Sequence, residues 1–222
     1  MTVRTETAAP FVPDGATLRD LARAAAECQG CELYRDATQT VFGAGSSRAR
    51  AMFVGEQPGD VEDREGEPFV GPAGRLFDRA LAEAGIERRE AYVTNAVKHF
   101  RWKPAPRGKR RIHETPEARH TNACRPWLAA ELSTVRPHVV VALGAVAAKS
   151  LFGPSFRLTQ HRGERLDWPP ERGGFADDDT PVRAAFATVH PSSVLRAEDR
   201  EDAYRQLVQD LQIVAQTINA DT

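Results

Sequence analysis

Residues 51–74 read AMFVGEQPGDVEDREGEPFVGPAG, and this stretch decides the fold. Its first five residues form a short apolar run, the composition of a strand buried on both faces. The run passes directly into a loop of Gly, Pro and acids, and Pro72 then opens a helical pattern over 72–85. Two more apolar runs, 91–97 and 138–144, are each followed by a loop and a helical pattern, at 116–135 and 144–151. A fourth run, 184–189, ends at His190-Pro191 and precedes a helix over 199–218. Upstream, Leu18, Leu21 and Ala25 keep helical spacing within 17–28, with Thr17 as N-cap. Strands alternating with helices imply an α/β fold: a three-layer α/β/α sandwich around a mainly parallel, four-stranded sheet.

The chain of 222 residues is long enough for one core, so residues 15–222 are taken as a single domain behind a flexible lead-in, 1–14. Residues 156–182 interrupt the alternation and are expected to form a short hairpin plus an acidic surface insertion near 167–180. No apolar run approaches the ~20 residues of a membrane span, and the N-terminus lacks a signal-peptide apolar region. The expectation is a cytoplasmic monomer with no membrane partner.

A net charge of −1 excludes a uniformly basic chromatin-type protein and little else. Residues 98–111 hold seven basic residues in fourteen and no acid, while 167–179 carry five acids against one Arg.

In a doubly wound sheet, ligands bind beyond the carboxyl ends of the strands. The segments there are 56–69, 98–113 and 190–196, and all three are chemically unusual. The first offers a close backbone approach at Gly55 and polar groups at Glu56, Gln57 and Asp60; a solvated loop is the plainer alternative. The second interleaves Arg107, Lys109, Arg110 and Arg111 with upstream Phe100 and Trp102, a pattern suited to phosphates and unstacked bases; its alternative is a flexible charged loop. The third presents His190 at a strand end, then Ser192 and Ser193 as phosphate-binding groups, and Leu195-Arg196 as a wedge backed by charge; a satisfied core histidine is the alternative.

Cys28 and Cys31 form a C-x-x-C pair, Cys124 supplies a third thiol, and His99 is the best fourth ligand. This set is compatible with Zn²⁺ or with an iron–sulfur cluster carrying one His ligand, and spacing does not decide between them. The alternative is three unrelated buried thiols.

Taken together, GEQPG (55–59), EPFVG (67–71), TNAVK (94–98), KRRIH (109–113) and HPSSVLR (190–196) resemble the uracil-DNA glycosylase superfamily. Within its iron–sulfur branch the likeness is to the X family, UdgX, because ordinary family 4 enzymes lack the KRRIH loop. The resemblance spans roughly residues 20–215. It implies that Phe69 stacks on a flipped uracil and that Asn95 reads its Watson–Crick edge, with Gly55 and Asp60 also in the base-binding set. It implies a catalytic set of His113, Glu56, Gln57 and His190, in which His190 stabilises the leaving base and His113 attacks C1′ and stays attached to the DNA. Arg107, Lys109, Arg110, Arg111, Ser192, Ser193, Leu195 and Arg196 are then expected to contact DNA. Cys28, Cys31, His99 and Cys124 would hold a [4Fe–4S] cluster as a structural staple; His99 stands where family 4 has Cys. The implied partner is uracil-containing DNA, single-stranded or double-stranded. Two other readings stand beside this one: a conventional multiple-turnover glycosylase of the family 4 type, and a zinc-stabilised nucleic-acid-binding module without chemistry.

Overall fold

A computed structural model describes residues 6–108, 110–170, 175 and 181–220. In chain order its elements are α1 (Leu18–Ala25), β1 (Ala44–Gly45), β2 (Ala51–Gly55), α2 (Asp60–Glu65), α3 (Pro72–Glu83), β3 (Ala91–Asn95), β4 (Trp102–Pro104) and β5 (Arg111–His113). There follow α4 (Ala118–Val135), β6 (Val139–Leu143), α5 (Ala145–Phe152), α6 (Leu158–His161), β7 (Ala184–Thr188), α7 (Pro191–Arg196) and α8 (Arg200–Ala220).

The main sheet has the order β1-β3-β2-β6-β7, with β2, β3, β6 and β7 parallel. All residues of these four strands are buried, as continuous apolar runs require. Alternation sends Phe53, Val93, Val141 and Phe186 to one face, against α3 and α8. Met52, Tyr92, Val140 and Ala185 face the other layer, formed by α4 and α5. The expected α/β/α sandwich is the observed one.

Three details differ from expectation. A two-residue strand, β1, pairs antiparallel with β3 and makes the sheet five-stranded; so short a segment has no periodicity to detect. The basic segment 98–113 is largely a two-stranded arm, β4–β5, in which Trp102 pairs with His113. Residues 156–182 do not form their own hairpin among the described residues: α6 is a single turn, and Leu166 bridges antiparallel to Ala185 of the main sheet.

Residues 171–174 and 176–180, the greater part of the expected acidic insertion, lie outside the described residues, as does Lys109. In residues 6–14, the described part of the expected lead-in, Ala8 is buried and its N–H donates to Ala123 O at 2.7 Å, while Glu6, Ala9, Pro10, Pro13 and Asp14 are exposed. No helix among the described residues is long and apolar enough to cross a membrane.

The chain steps from β2 to β3 on one side and then to β6 and β7 on the other, so the topological switch lies between β2 and β6. The crevice beyond their carboxyl ends is where such sheets bind ligands.

Candidate active site

A cavity of about 720 Å³ opens at that crevice, lined by Glu56, Phe69, Asn95, His113, His190 and Arg196 among others. Residues from three separate sequence segments thus meet in one place. Asn95, the last residue of β3, and Phe69 are both buried. A Cβ on Gly55 would lie 2.4 Å from Asn95 Oδ1 and 2.8 Å from Phe69 Cζ. Gly55 therefore serves by having no side chain, which lets the amide and the ring approach over the strand end.

Phe69 holds φ +59°, a conformation uncommon for a bulky residue and of the kind found at binding sites. Its loop is closed by Glu62, whose two carboxylate oxygens accept from Gly59 N at 3.1 Å and Gly71 N at 2.8 Å. The Phe69 ring lies 6.1 Å from the His190 ring, tilted by 31°.

His190 caps α7, and its Nδ1 accepts from Ser192 N at 3.1 Å, with Ser192 Oγ at 2.8 Å. An accepting Nδ1 leaves the neutral ring's proton on Nε2. Burial, then the charge of Arg196, pushes the His190 pKa down to about 4, so near pH 7 the ring is a neutral N–H donor.

Glu56 is affected in the opposite sense: burial raises its pKa to about 7 against a lowering influence from Arg196. His113 Nε2 stands 3.4 Å from Glu56 Oε1, yet that oxygen accepts no hydrogen bond. The two groups are adjacent but not joined. The His113 pKa is lowered by burial and by Arg196, which favours the neutral imidazole. Ser192 and Ser193 also line the cavity.

His113 reaches the cavity because the β4–β5 arm is tied at its base. Gln57 Nε2 donates to Arg101 O at 3.1 Å and Glu114 O at 3.0 Å, while its Oε1 accepts from Arg101 N at 3.0 Å. With its amide engaged by backbone on both sides of the arm, Gln57 is a positioning residue. Arg111 has an internal role too: it donates to Asp60 at 2.5 Å and Asp63 at 2.6 Å, and lies over the Phe100 and Trp102 rings. Asp60 accordingly braces the arm from α2 and is not among the cavity-lining residues. Although burial opposes it, the hydrogen bonds from Arg111 and Arg64 hold the Asp60 carboxyl below its usual range. Arg107 and Arg110 are exposed on the arm, whereas Leu195 is half-buried.

The expectation of a metal centre is overturned. Among the described residues, no group of three or more His, Cys, Asp or Glu side chains is arranged to hold a metal ion. Cys28 Sγ accepts from the Trp127 indole at 3.2 Å, and Cys124 Sγ accepts from Lys98 N at 3.3 Å. His99 Nε2 lies 2.8 Å from Thr40 Oγ1, which donates onward to Ala25 O. Burial raises the thiols of Cys31 to about 11 and Cys124 to about 12. The set fits neither a [4Fe–4S] cluster nor zinc: Cys28, Cys31 and Cys124 are free, buried thiols.

Sequence reading missed two residues that organise the site, Glu62 and Glu131. Glu131 carried a detectable signal, since it interrupts the buried stripe Trp127, Leu128, Leu132 and Val135 of α4. A charge on such a stripe needs a partner. That partner is Lys98, which is fully buried and so does not belong to an exposed basic edge.

The switch point of this parallel sheet thus holds an amide, an aromatic ring, a neutral histidine donor and a desolvated carboxyl group, a set able to stack on and hydrogen-bond a planar polar ring. The chain belongs to the uracil DNA glycosylase superfamily, whose family model matches residues 42–212. It is 36% identical to the type-4 uracil-DNA glycosylase of Thermotoga maritima, over 82% of this chain and 84% of that protein. It is also 35% identical to the type-4 enzyme of Sulfurisphaera tokodaii, over 76% of this chain and 71% of the relative. The type-4 enzyme of Pyrobaculum aerophilum is 32% identical, over 76% of this chain and 80% of its own length.

Proposed function

We propose that the protein excises uracil from DNA. The observation that carries this reading is the convergence of Asn95 and Phe69 over Gly55, facing His190. A base inside a duplex is inaccessible, so the substrate nucleotide is flipped or already unpaired, at a cost of a few kcal/mol offset by stacking and edge hydrogen bonds. Phe69 stacks on the base, while Asn95 accepts from N3–H and donates to O4. As the N1–C1′ bond breaks, its electron pair moves into the uracil ring. His190 Nε2–H donates to O2, where negative charge collects. Positive charge develops on the sugar beside Glu56. A water oxygen then bonds to C1′ and gives its proton to the Glu56 carboxylate. The products are abasic DNA and uracil, which takes up a proton from solvent.

The test is release of free uracil from an oligonucleotide carrying one uracil. Uracil in molar excess over the enzyme supports the reading; no base loss despite measured DNA binding rejects it. Substrate binding weakens with rising salt through counterion release.

A second reading is favoured by the position of His113, and by the likeness of residues 109–113 to the X family. A neutral imidazole beside a carboxylate suits attack on C1′ in place of water. The ring nitrogen bonds to C1′, the other nitrogen loses its proton to Glu56, and the protein remains attached. A slow-migrating protein–DNA band on a denaturing gel, absent in His113→Ala, supports this reading; multiple turnover without a band rejects it.

A further inference from the structure

We infer that Glu131 and Lys98 are positioning residues for Asn95 and set the choice of uracil over cytosine. The inference rests on the excision of uracil proposed above. Asn95 ends β3, and Ala96 N makes the next backbone bond, to Gly55 O at 2.8 Å. Beyond it, the Asn95 carbonyl accepts from Lys98 Nζ at 2.9 Å. The same ammonium donates to Thr94 Oγ1 at 2.6 Å and Glu131 Oε2 at 2.5 Å, so all three of its hydrogens are engaged. Glu131 Oε1 accepts from Thr94 Oγ1 at 2.8 Å, Tyr92 OH at 3.0 Å and Gly43 N at 3.2 Å. Lys98 and Glu131 side chains are 1% and 0% exposed. One carboxylate on α4 thus holds three features of the strand end: the Tyr92 hydroxyl, the Thr94 hydroxyl and, through Lys98, the Asn95 peptide plane.

The chemistry explains why such rigidity matters. Uracil presents a donor at N3 and an acceptor at O4; cytosine presents an acceptor at N3 and a donor at N4. A carboxamide has one acceptor and one donor in near-symmetric positions. Turned by half a revolution, it reads cytosine as well as it had read uracil. The matched edge is favoured and the mismatched one penalised only while the amide stands in the plane of the base at hydrogen-bond distance, a placement that begins with a fixed backbone at its own residue. Lys98 fixes that backbone, and Glu131 fixes Lys98.

Replacing a buried ion pair with apolar residues often preserves stability, so Lys98→Met/Glu131→Leu separates positioning from folding. Thermal melting and circular dichroism establish that the variant is folded. Single-turnover base loss is then measured on single-stranded oligonucleotides with uracil or cytosine at one site, alongside DNA affinity. The expected result is uracil loss slowed about tenfold or more, unchanged DNA affinity, and a uracil-to-cytosine rate ratio reduced about tenfold. A folded variant with wild-type rate and ratio overturns the inference. A fall in rate and DNA affinity with an unchanged ratio also overturns it, since that is a general structural effect. If the double variant does not fold, the isosteric Glu131→Gln is judged by the same three measurements. Absence of base loss from the wild-type protein refutes the proposed function itself, and with it this inference.

Discussion

Two carboxylates flank the end of the central sheet, and their surroundings are opposites. Glu131 is fully buried, and its oxygens meet Lys98, Thr94, Tyr92 and Gly43. Glu56, after β2, has an oxygen without a hydrogen bond and a histidine 3.4 Å away. Glu131 is matched by an ammonium and three further donors, whereas burial pushes Glu56 up to about 7. A satisfied buried charge holds structure in place; an unsatisfied one retains capacity for chemistry, and it tends to occur where local rules are broken for function.

Matched truncations give the strongest test of this contrast. Glu131→Ala strands the Lys98 ammonium and is expected to cost about 3–5 kcal/mol in urea unfolding. Glu56→Ala at pH 8 should cost far less or stabilise. Equal losses would erase the distinction.

The next effect is on pH dependence. The Glu56 pKa is raised from 4.5 to about 7 on folding, so the folded state binds more protons between those values. Its contribution to stability is fully present below about pH 4.5 and is lost as pH rises through about 7, amounting to roughly 3 kcal/mol. Glu56→Gln should therefore gain stability over wild type across that window, and lose the rise in reaction rate that accompanies ionisation. Parallel stability–pH curves for the two proteins would contradict this.

A smaller effect is expected at the base of the arm. Gln57→Leu leaves backbone groups of Arg101 and Glu114 without their partner, at about 1–3 kcal/mol. Faster amide exchange should be confined to β4 and β5, with the Lys98–Glu131 region unaffected. Exchange spreading into β3 would show that the two regions are coupled.

Smallest of all, Arg107→Ala and Arg110→Ala should change stability by less than about 0.5 kcal/mol. Each should weaken DNA binding and reduce its salt slope by about 1 if it contacts a phosphate. An unchanged slope removes that residue from the DNA surface.

Periodicity exposed the parallel strands, because strands buried on both faces are nearly pure apolar runs. It also located the crevice, since Gly55, Asn95 and His190 stand at or beside strand ends. What it could not supply was the partner of each polar group. Arg111 looked like a phosphate ligand, yet Asp60 and Asp63, far away in sequence, neutralise it. Lys98 looked like the start of a basic surface, yet the chain turns it inward to Glu131. The cysteine spacing looks like part of a ligand set, yet Cys28 accepts a hydrogen bond from Trp127 and Cys124 accepts one from Lys98. Spacing restricts which residue types can meet; only tertiary packing decides which do.

The clasp that Gln57 forms across Arg101 and Glu114 has a consequence for how the protein can change over generations. The stretch between those two residues is held at this neck and again where Arg111 reaches Asp60 and Asp63, so changes in the connection between β4 and β5 need not disturb the sheet. The arm is thus an exchangeable attachment whose last strand residue, His113, faces the cavity. A change confined to the arm can alter the group presented to the cavity at residue 113 while leaving Gly55, Phe69 and Asn95 in place.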